Sequence, residues 1–193
     1  MEKKKQPYVC PVELASSLSN PLRRLIHNPR KILGSYINKG MTVIDLGCGP
    51  GYFTTWLARM VGEEGMVIAA DLQQGMLEKV IEKIRGTDLE QRIKIHKCQD
   101  DKIGVSEKAD FVLAFWMVHE VPDQQKMFKE LRSVLNQGGR ILVIEPKFHV
   151  TRESFKKMIT LVESAGFEII ESPKVSLSRT VLLSAGNIFD AGV

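Results

Sequence analysis

Cysteine is scarce in this 193-residue chain, and Cys10, Cys48 and Cys98 fall at unrelated spacings. That excludes a disulfide framework or a zinc knuckle, and no metal site is expected. No stretch approaches the roughly 18 uninterrupted apolar residues of a spanning helix. The basic start, Met1 to Gln6, is followed by no apolar run of the kind a signal peptide carries. Internal repeats, low-complexity tracts and dividing linkers are missing too. The expectation is a cytoplasmic protein with no membrane partner, folded as one domain over residues 1–193.

What is present is an ordinary globular composition, 44% hydrophobic and 26% charged, in a chain long enough to bury a core. Net charge is +4, with much of the excess in Lys3, Lys4, Lys5, Arg23, Arg24, Arg30 and Lys31. Clustered cations can steer a phosphate-bearing partner. Runs this short are more simply a solvated tail and a solvated helix face.

From Met41 onward, apolar runs alternate with segments of helical period. Strands are expected at Thr42 to Leu46, Met66 to Ala70, Arg92 to Cys98, Phe111 to Trp116 and Arg140 to Glu145. Between them, Phe53, Trp56, Leu57, Met60 and Val61 share a helix face, as do Leu77, Val80, Ile81 and Ile84. Met127, Leu131, Val134 and Leu135 mark a further helix that Asp123 can cap, and Gly138-Gly139 reads as a turn into the fifth strand. Phe155, Met158, Ile159 and Val162 stripe the last helix, which Gly166 ends. Phe167 to Ile170 and Val181 to Ser184 then form an antiparallel hairpin, because no helix-sized segment separates them. The fold class is therefore α/β, a doubly wound, mostly parallel seven-stranded sheet with ligands at the carboxyl ends of its strands. Residues 1–40, broken by four prolines, form a helical N-terminal cap over that edge, with Asn20-Pro21 and Asn28-Pro29 as helix starts. Residues 41–193 form the core.

The first strand runs directly into Asp45-Leu46-Gly47-Cys48-Gly49-Pro50-Gly51 and then a helix beginning near Tyr52. Glycines allow a sharp turn and close approach of a ligand to the backbone, and a helix start offers unpaired N–H groups. The spacing is neither the dinucleotide fingerprint nor a phosphate loop. Asp71 ends the second strand about 20 residues further on, where a carboxylate can accept hydrogen bonds from both ribose hydroxyls of an adenosine. Alone, Asp71 would read equally well as a helix cap.

Four segments, Val43 to Gly51, Val67 to Asp71, Asp110 to Asp123 and Leu135 to Pro146, make the chain resemble the class I S-adenosylmethionine-dependent methyltransferases. The resemblance is to their small-molecule branch, which includes the ubiquinone/menaquinone C-methyltransferases. It implies the Rossmann-like methyltransferase fold, S-adenosyl-L-methionine as cofactor and S-adenosyl-L-homocysteine as product. It places Asp45, Gly47, Cys48, Gly49 and Gly51 around the methionine moiety and ribose, Asp71 on the ribose hydroxyls and Leu72 against the adenine. In many relatives an acidic residue after the third strand meets the adenine amino group. Here that register holds Gln99, followed by Asp100 and Asp101, and Asp100 is the favoured contact. The backbone at Ala114 and Phe115, ending the fourth strand, would lie beside the methionine part.

An acceptor carbon or oxygen that loses a proton on methylation needs a base. His119 and Glu120, just beyond the fourth strand, are the candidates for catalysis, with Glu145 and His149 at the end of the fifth. For His119 the competing reading is a structural, hydrogen-bonded loop histidine, and for Glu145 it is a cap or brace of the following loop. Trp116, Met117 and Phe148 can wall an apolar acceptor or simply belong to the core. Cys10 is a candidate for binding a thiol, a metalloid or a corrinoid-like partner, Cys48 is a small turn residue, and Cys98 belongs to the core.

No Asn-Pro-Pro-Tyr/Phe follows the fourth strand, and no RNA-binding module or aromatic-basic interleaving appears. The connection from Glu145 to the Phe155 helix is short, so a lid must come from the N-terminal forty residues, a partner subunit or a macromolecular substrate. The leading expectation is methyl transfer to a small, partly apolar molecule, with no nucleic acid partner and with a homodimer left open. The alternatives are a methyltransferase acting on protein or RNA, a non-catalytic S-adenosylmethionine-binding subunit, and, more distantly, a nicotinamide oxidoreductase.

Overall fold

The computed structural model describes residues 25–186. Cys10, the lysine run, Arg23, Arg24 and the Asn20-Pro21 helix start lie outside the described residues. Elements follow in the order α1 (Pro29–Leu33), β1 (Thr42–Leu46), α2 (Thr54–Val61), β2 (Met66–Asp71), α3 (Gln74–Ile84), β3 (Ile93–Lys97), β4 (Ala109–Phe115), α4 (Gln124–Val134), β5 (Leu135–Pro146), α5 (Arg152–Ser164), β6 (Glu168–Glu171) and β7 (Ser178–Ser184). Their start signals are chemical. Asn28 accepts hydrogen bonds from the amides of Arg30 and Lys31 with Pro29 at the first turn, and Asp123 accepts from the amide of Lys126.

The sheet has seven strands in the order β3-β2-β1-β4-β5-β7-β6. β1 through β5 pair in parallel, whereas β7 runs antiparallel to both β5 and β6. Apolar residues alternate between its two faces, as doubly wound strands require. Ile44, Leu46, Val112 and Val143 pack beneath α4 and α5 with Phe128, Leu131 and Val162. Val43, Val67, Leu113 and Ile144 pack on the other side with Leu57, Leu77 and Val80 of α2 and α3.

Two expectations change. β5 begins at Leu135 and runs through Gly138-Gly139, which sits in a bulge against Ala109 to Phe111 of β4 instead of turning the chain. The described part of the N-terminal segment also does more than cover the ligand edge. Leu33, Tyr36 and Ile37 pack into the second core, with the Tyr36 ring stacked 6.0 Å from Phe111. His27 reaches the sheet's carboxyl edge, 5.2 Å from the ring of Phe115 and 4.9 Å from that of Trp116. Among the described residues, no helix is long and apolar enough to cross a membrane.

Candidate functional site

A cavity of about 490 Å³ opens at the carboxyl ends of β1, β2 and β4, within the usual size range of small-molecule and cofactor sites. Its floor is the glycine turn. The amides of Gly47 and Cys48 both donate to the carbonyl of Ala70, at 2.8 and 3.1 Å, which ties the turn to the end of β2. Gly47 has φ +67, and a Cβ there would lie 2.8 Å from Met117 Cβ. Asp45, almost fully buried, accepts a 2.6 Å hydrogen bond from the Thr54 hydroxyl at the start of α2. The helix therefore starts two residues later than its expected Tyr52, and Tyr52 itself joins the cavity wall.

Asp71 already has work in this arrangement. Its Oδ2 accepts from the Gly49 amide and its Oδ1 from the Gln73 amide, both at 2.8 Å. Burial raises its pKa, and those two amides oppose the rise. Each carboxylate oxygen has two lone pairs, so both oxygens retain capacity toward a ligand. Leu72, Gln99 and Asp100 continue the wall beyond Asp71. Asp101, also on the wall, forms a 2.9 Å ion pair with Lys126, another lining residue.

Gly51 and Ala114 do not line the cavity. Ala114 is wholly buried in the sheet, its side chain in the core under α4 and α5. Gly51 faces α3, and a Cβ there would meet Val80 Cγ2 at 3.0 Å from a backbone with φ +76. The turn is closely packed against α3 at this position. Gly51→Ala should cost roughly 1–2 kcal/mol in urea denaturation, through left-handed strain and crowding. S-adenosylhomocysteine affinity should stay within about twofold; a tenfold loss in the folded variant would put Gly51 back at the ligand.

Beyond β4 the chain turns at Trp116, whose φ of +58 is rare for a bulky residue. Trp116 N donates to Ile144 O at 2.7 Å and its Nε1 to Ser178 Oγ at 3.0 Å, which fixes that conformation. Its ring meets Phe115, Phe148 and His27 within 5.2 Å between centroids. The next turn, Val118–Glu120, hangs on Glu145. That carboxylate is 1% exposed and accepts from the amides of Val118 and His119 at 3.1 and 3.0 Å, and bonds His119 Nδ1 at 2.8 Å.

Glu145 thus orients the turn, and its side chain is not at the cavity surface. His119 and Glu120 are, with Phe148 and His149 on the rim. The His149 ring stands edge-on to His119 at 5.6 Å. Burial disfavours the His119 imidazolium, but the hydrogen bond and charge of Glu145, helped by Glu120, outweigh it and raise the pKa. Cys48 and Cys98 line the cavity as protonated thiols. Burial pushes Cys48 well up and Cys98 to about 12, so neither is a nucleophile at neutral pH. Among the described residues, no cluster of three or more potential ligands could hold a metal.

Tyr52 and His27 escaped the sequence reading. Tyr52 had a usable signal, since it leaves the glycine turn at the start of the helix. His27 had none, because its neighbours Phe115, Trp116 and Ser176 are remote in sequence.

The residues fit S-adenosylmethionine. Gly49, on the cavity wall, has nothing within 4 Å of where a Cβ would stand, so the wall leaves open space at that backbone. The Asp71 carboxylate ends the neighbouring strand, where a ribose would lie.

Comparison with known proteins agrees. Over 112 residues the chain is 33% identical to the ubiquinone/menaquinone biosynthesis C-methyltransferase of Haemophilus ducreyi, covering 58% of this chain and 43% of that protein. Over 110 residues it is 32% identical to the demethylmenaquinone methyltransferase of Lactobacillus johnsonii, covering 56% and 45%. The matches thus span less than half of either curated relative. A crystal structure of an S-adenosylmethionine-dependent methyltransferase from Aquifex aeolicus superposes with a TM-score of 0.84 at 25% identity, over 92% of this chain and 100% of that one. The family profile described as "Methyltransferase domain" matches residues 37–176, well over half of the chain, and the protein accordingly belongs to the S-adenosylmethionine-dependent methyltransferases.

Proposed function

We propose that this enzyme methylates a small, partly apolar acceptor seated against Tyr52, Trp116 and Phe148, with His119 as the base. The observation that carries this reading is the adjacency of an aromatic wall to a histidine oriented by a buried carboxylate. The names of the two curated relatives, both concerned with quinone methylation, point to a flat ring as the acceptor class. Such a ring would stack on, or stand edge-on to, the Trp116 and Phe148 faces.

When bound, S-adenosylmethionine supplies a methyl group on a sulfonium that is already activated for attack. The chain's share is placement and proton transfer. Asp71 and the Gly47 to Gly49 backbone hold the adenosine side of the cavity, and the aromatic wall excludes water and fixes the acceptor's plane. His119 Nδ1 is committed to Glu145, which leaves Nε2 as the nitrogen available to take the acceptor's proton.

His119→Ala should lower turnover of the best acceptor by about 100-fold or more, with S-adenosylhomocysteine affinity within threefold of the parent. The assay is labelled-methyl transfer to a panel of phenolic and quinol rings, alongside calorimetry. Equal turnover would return His119 to a structural role. Labelling of protein or RNA, with every small ring inert, would shift the acceptor to a macromolecule.

A further inference from the structure

We propose that a second pocket, beside the cofactor cavity but sharing none of its lining residues, binds a small phosphate-bearing anion. The pocket has a volume of about 670 Å³ and lies between the start of α5 and the connection from β6 to β7. Five cations line it: Lys147, Arg152, Lys156, Lys174 and Arg179. Its described lining includes no carboxylate, and none of the five forms an ion pair among the described residues. Glu153, in the first turn of α5, is the acid that feels Lys156 and Arg179, and it is itself bonded to Thr151.

Five like charges converging on one concavity repel each other, and that arrangement favours a multiply charged occupant. Arg179 is half-buried, and its Nε donates to Val150 O at 3.0 Å. That bond fixes the guanidinium plane and leaves its other N–H groups for a bidentate contact, which is the geometry phosphate oxygens accept. The Ser172 side chain adds a hydroxyl to the lining. A nucleic-acid strand fits less well. The lining's single aromatic, Phe155, is packed against the core under the sheet and offers no stacking platform.

The two sites are neighbours through one wall. Ser178, in the lining of this pocket, accepts the Trp116 Nε1 hydrogen bond from the cofactor cavity. Their occupants nonetheless touch different residues, so a phosphate-bearing molecule here should bind whether or not the cofactor cavity is filled.

The test titrates inorganic pyrophosphate into the full chain by calorimetry, with and without saturating S-adenosylhomocysteine. One equivalent should bind with the same affinity in both cases. The Arg152→Glu/Lys174→Glu double variant, altered at two exposed residues without described partners, should weaken binding at least tenfold. Lys147→Gln, as an independent single change, should weaken it severalfold, and raising salt from 50 to 200 mM should do likewise. Absence of binding, competition by S-adenosylhomocysteine, or unchanged affinity in a folded charge variant would overturn the proposal. So would displacement of pyrophosphate by a single-stranded RNA oligonucleotide at a hundredfold lower concentration, which would make this a nucleic-acid surface.

Discussion

Replacing Asp71 by alanine should weaken S-adenosylhomocysteine binding by roughly 10- to 150-fold, the worth of about 1.5–3 kcal/mol in hydrogen bonds to a charged group. The loss has two sources, because the carboxylate also holds the Gly49 and Gln73 amides that shape the floor of the cavity. A ribose analogue separates them. Against the parent protein, the 2′-deoxy form of a cofactor product should bind more weakly than the ribose form. Against Asp71→Ala the two should bind alike. Equal discrimination in both proteins would leave Asp71 as a brace of the turn and nothing more, and unchanged affinity in the variant would remove it from the site altogether.

Glu145→Ala should be the most destabilising single change near the site, by about 3–5 kcal/mol in denaturant unfolding. It would strand two backbone amides and the His119 ring around a buried void. Glu145→Gln keeps one acceptor oxygen and should cost less. It also carries a pH signature. The folded His119 pKa lies above the ordinary 6.5, so its pairing with Glu145 stabilises the fold fully below about pH 6.5. That contribution is lost as pH rises through the higher native value. Unfolding free energy of the parent should therefore fall over that window relative to Glu145→Gln. If His119 is the base, kcat/KM of the parent should rise through the same native pKa, and the Gln variant should move that inflection to lower pH. Parallel stability curves for the two proteins would show that the pair contributes nothing to folding.

Much of this molecule is legible in its sequence. The strand-and-helix rhythm follows from apolar periodicity, and the Asn28 and Asp123 caps from the hydrogen-bonding side chain at each helix start. The closing hairpin followed from the lack of room for a helix between the last two apolar runs. The Gly47 to Asp71 spacing was legible because strand lengths and a crossover helix fix how far apart two strand ends fall in sequence. Other features depend on contacts that periodicity does not encode. Gly138-Gly139 carries the composition of a turn, yet pairing with β4 holds it within the strand as a bulge. Gly51 looks like its neighbouring glycines, but a Cβ there would face Val80, one helix away. Glu145 reads as a residue of the site, and only the arrival of the Val118–Glu120 turn shows that its three hydrogen bonds face inward.

The insertion of β7 between β5 and β6 ties the site to two distant parts of the chain. β1, β2 and β3, with the glycine turn and Asp71, pair with one another within the stretch that ends at Lys97. β5 cannot close its outer edge until Ser178–Ser184 arrives, because that strand pairs with it from Arg140 to Pro146. The same stretch of β5 contains Glu145, and Ser178 holds the Trp116 ring. The cavity thus rests on stretches far apart in the chain: one side on β1 and β2, the other on a strand edge that only β7 covers.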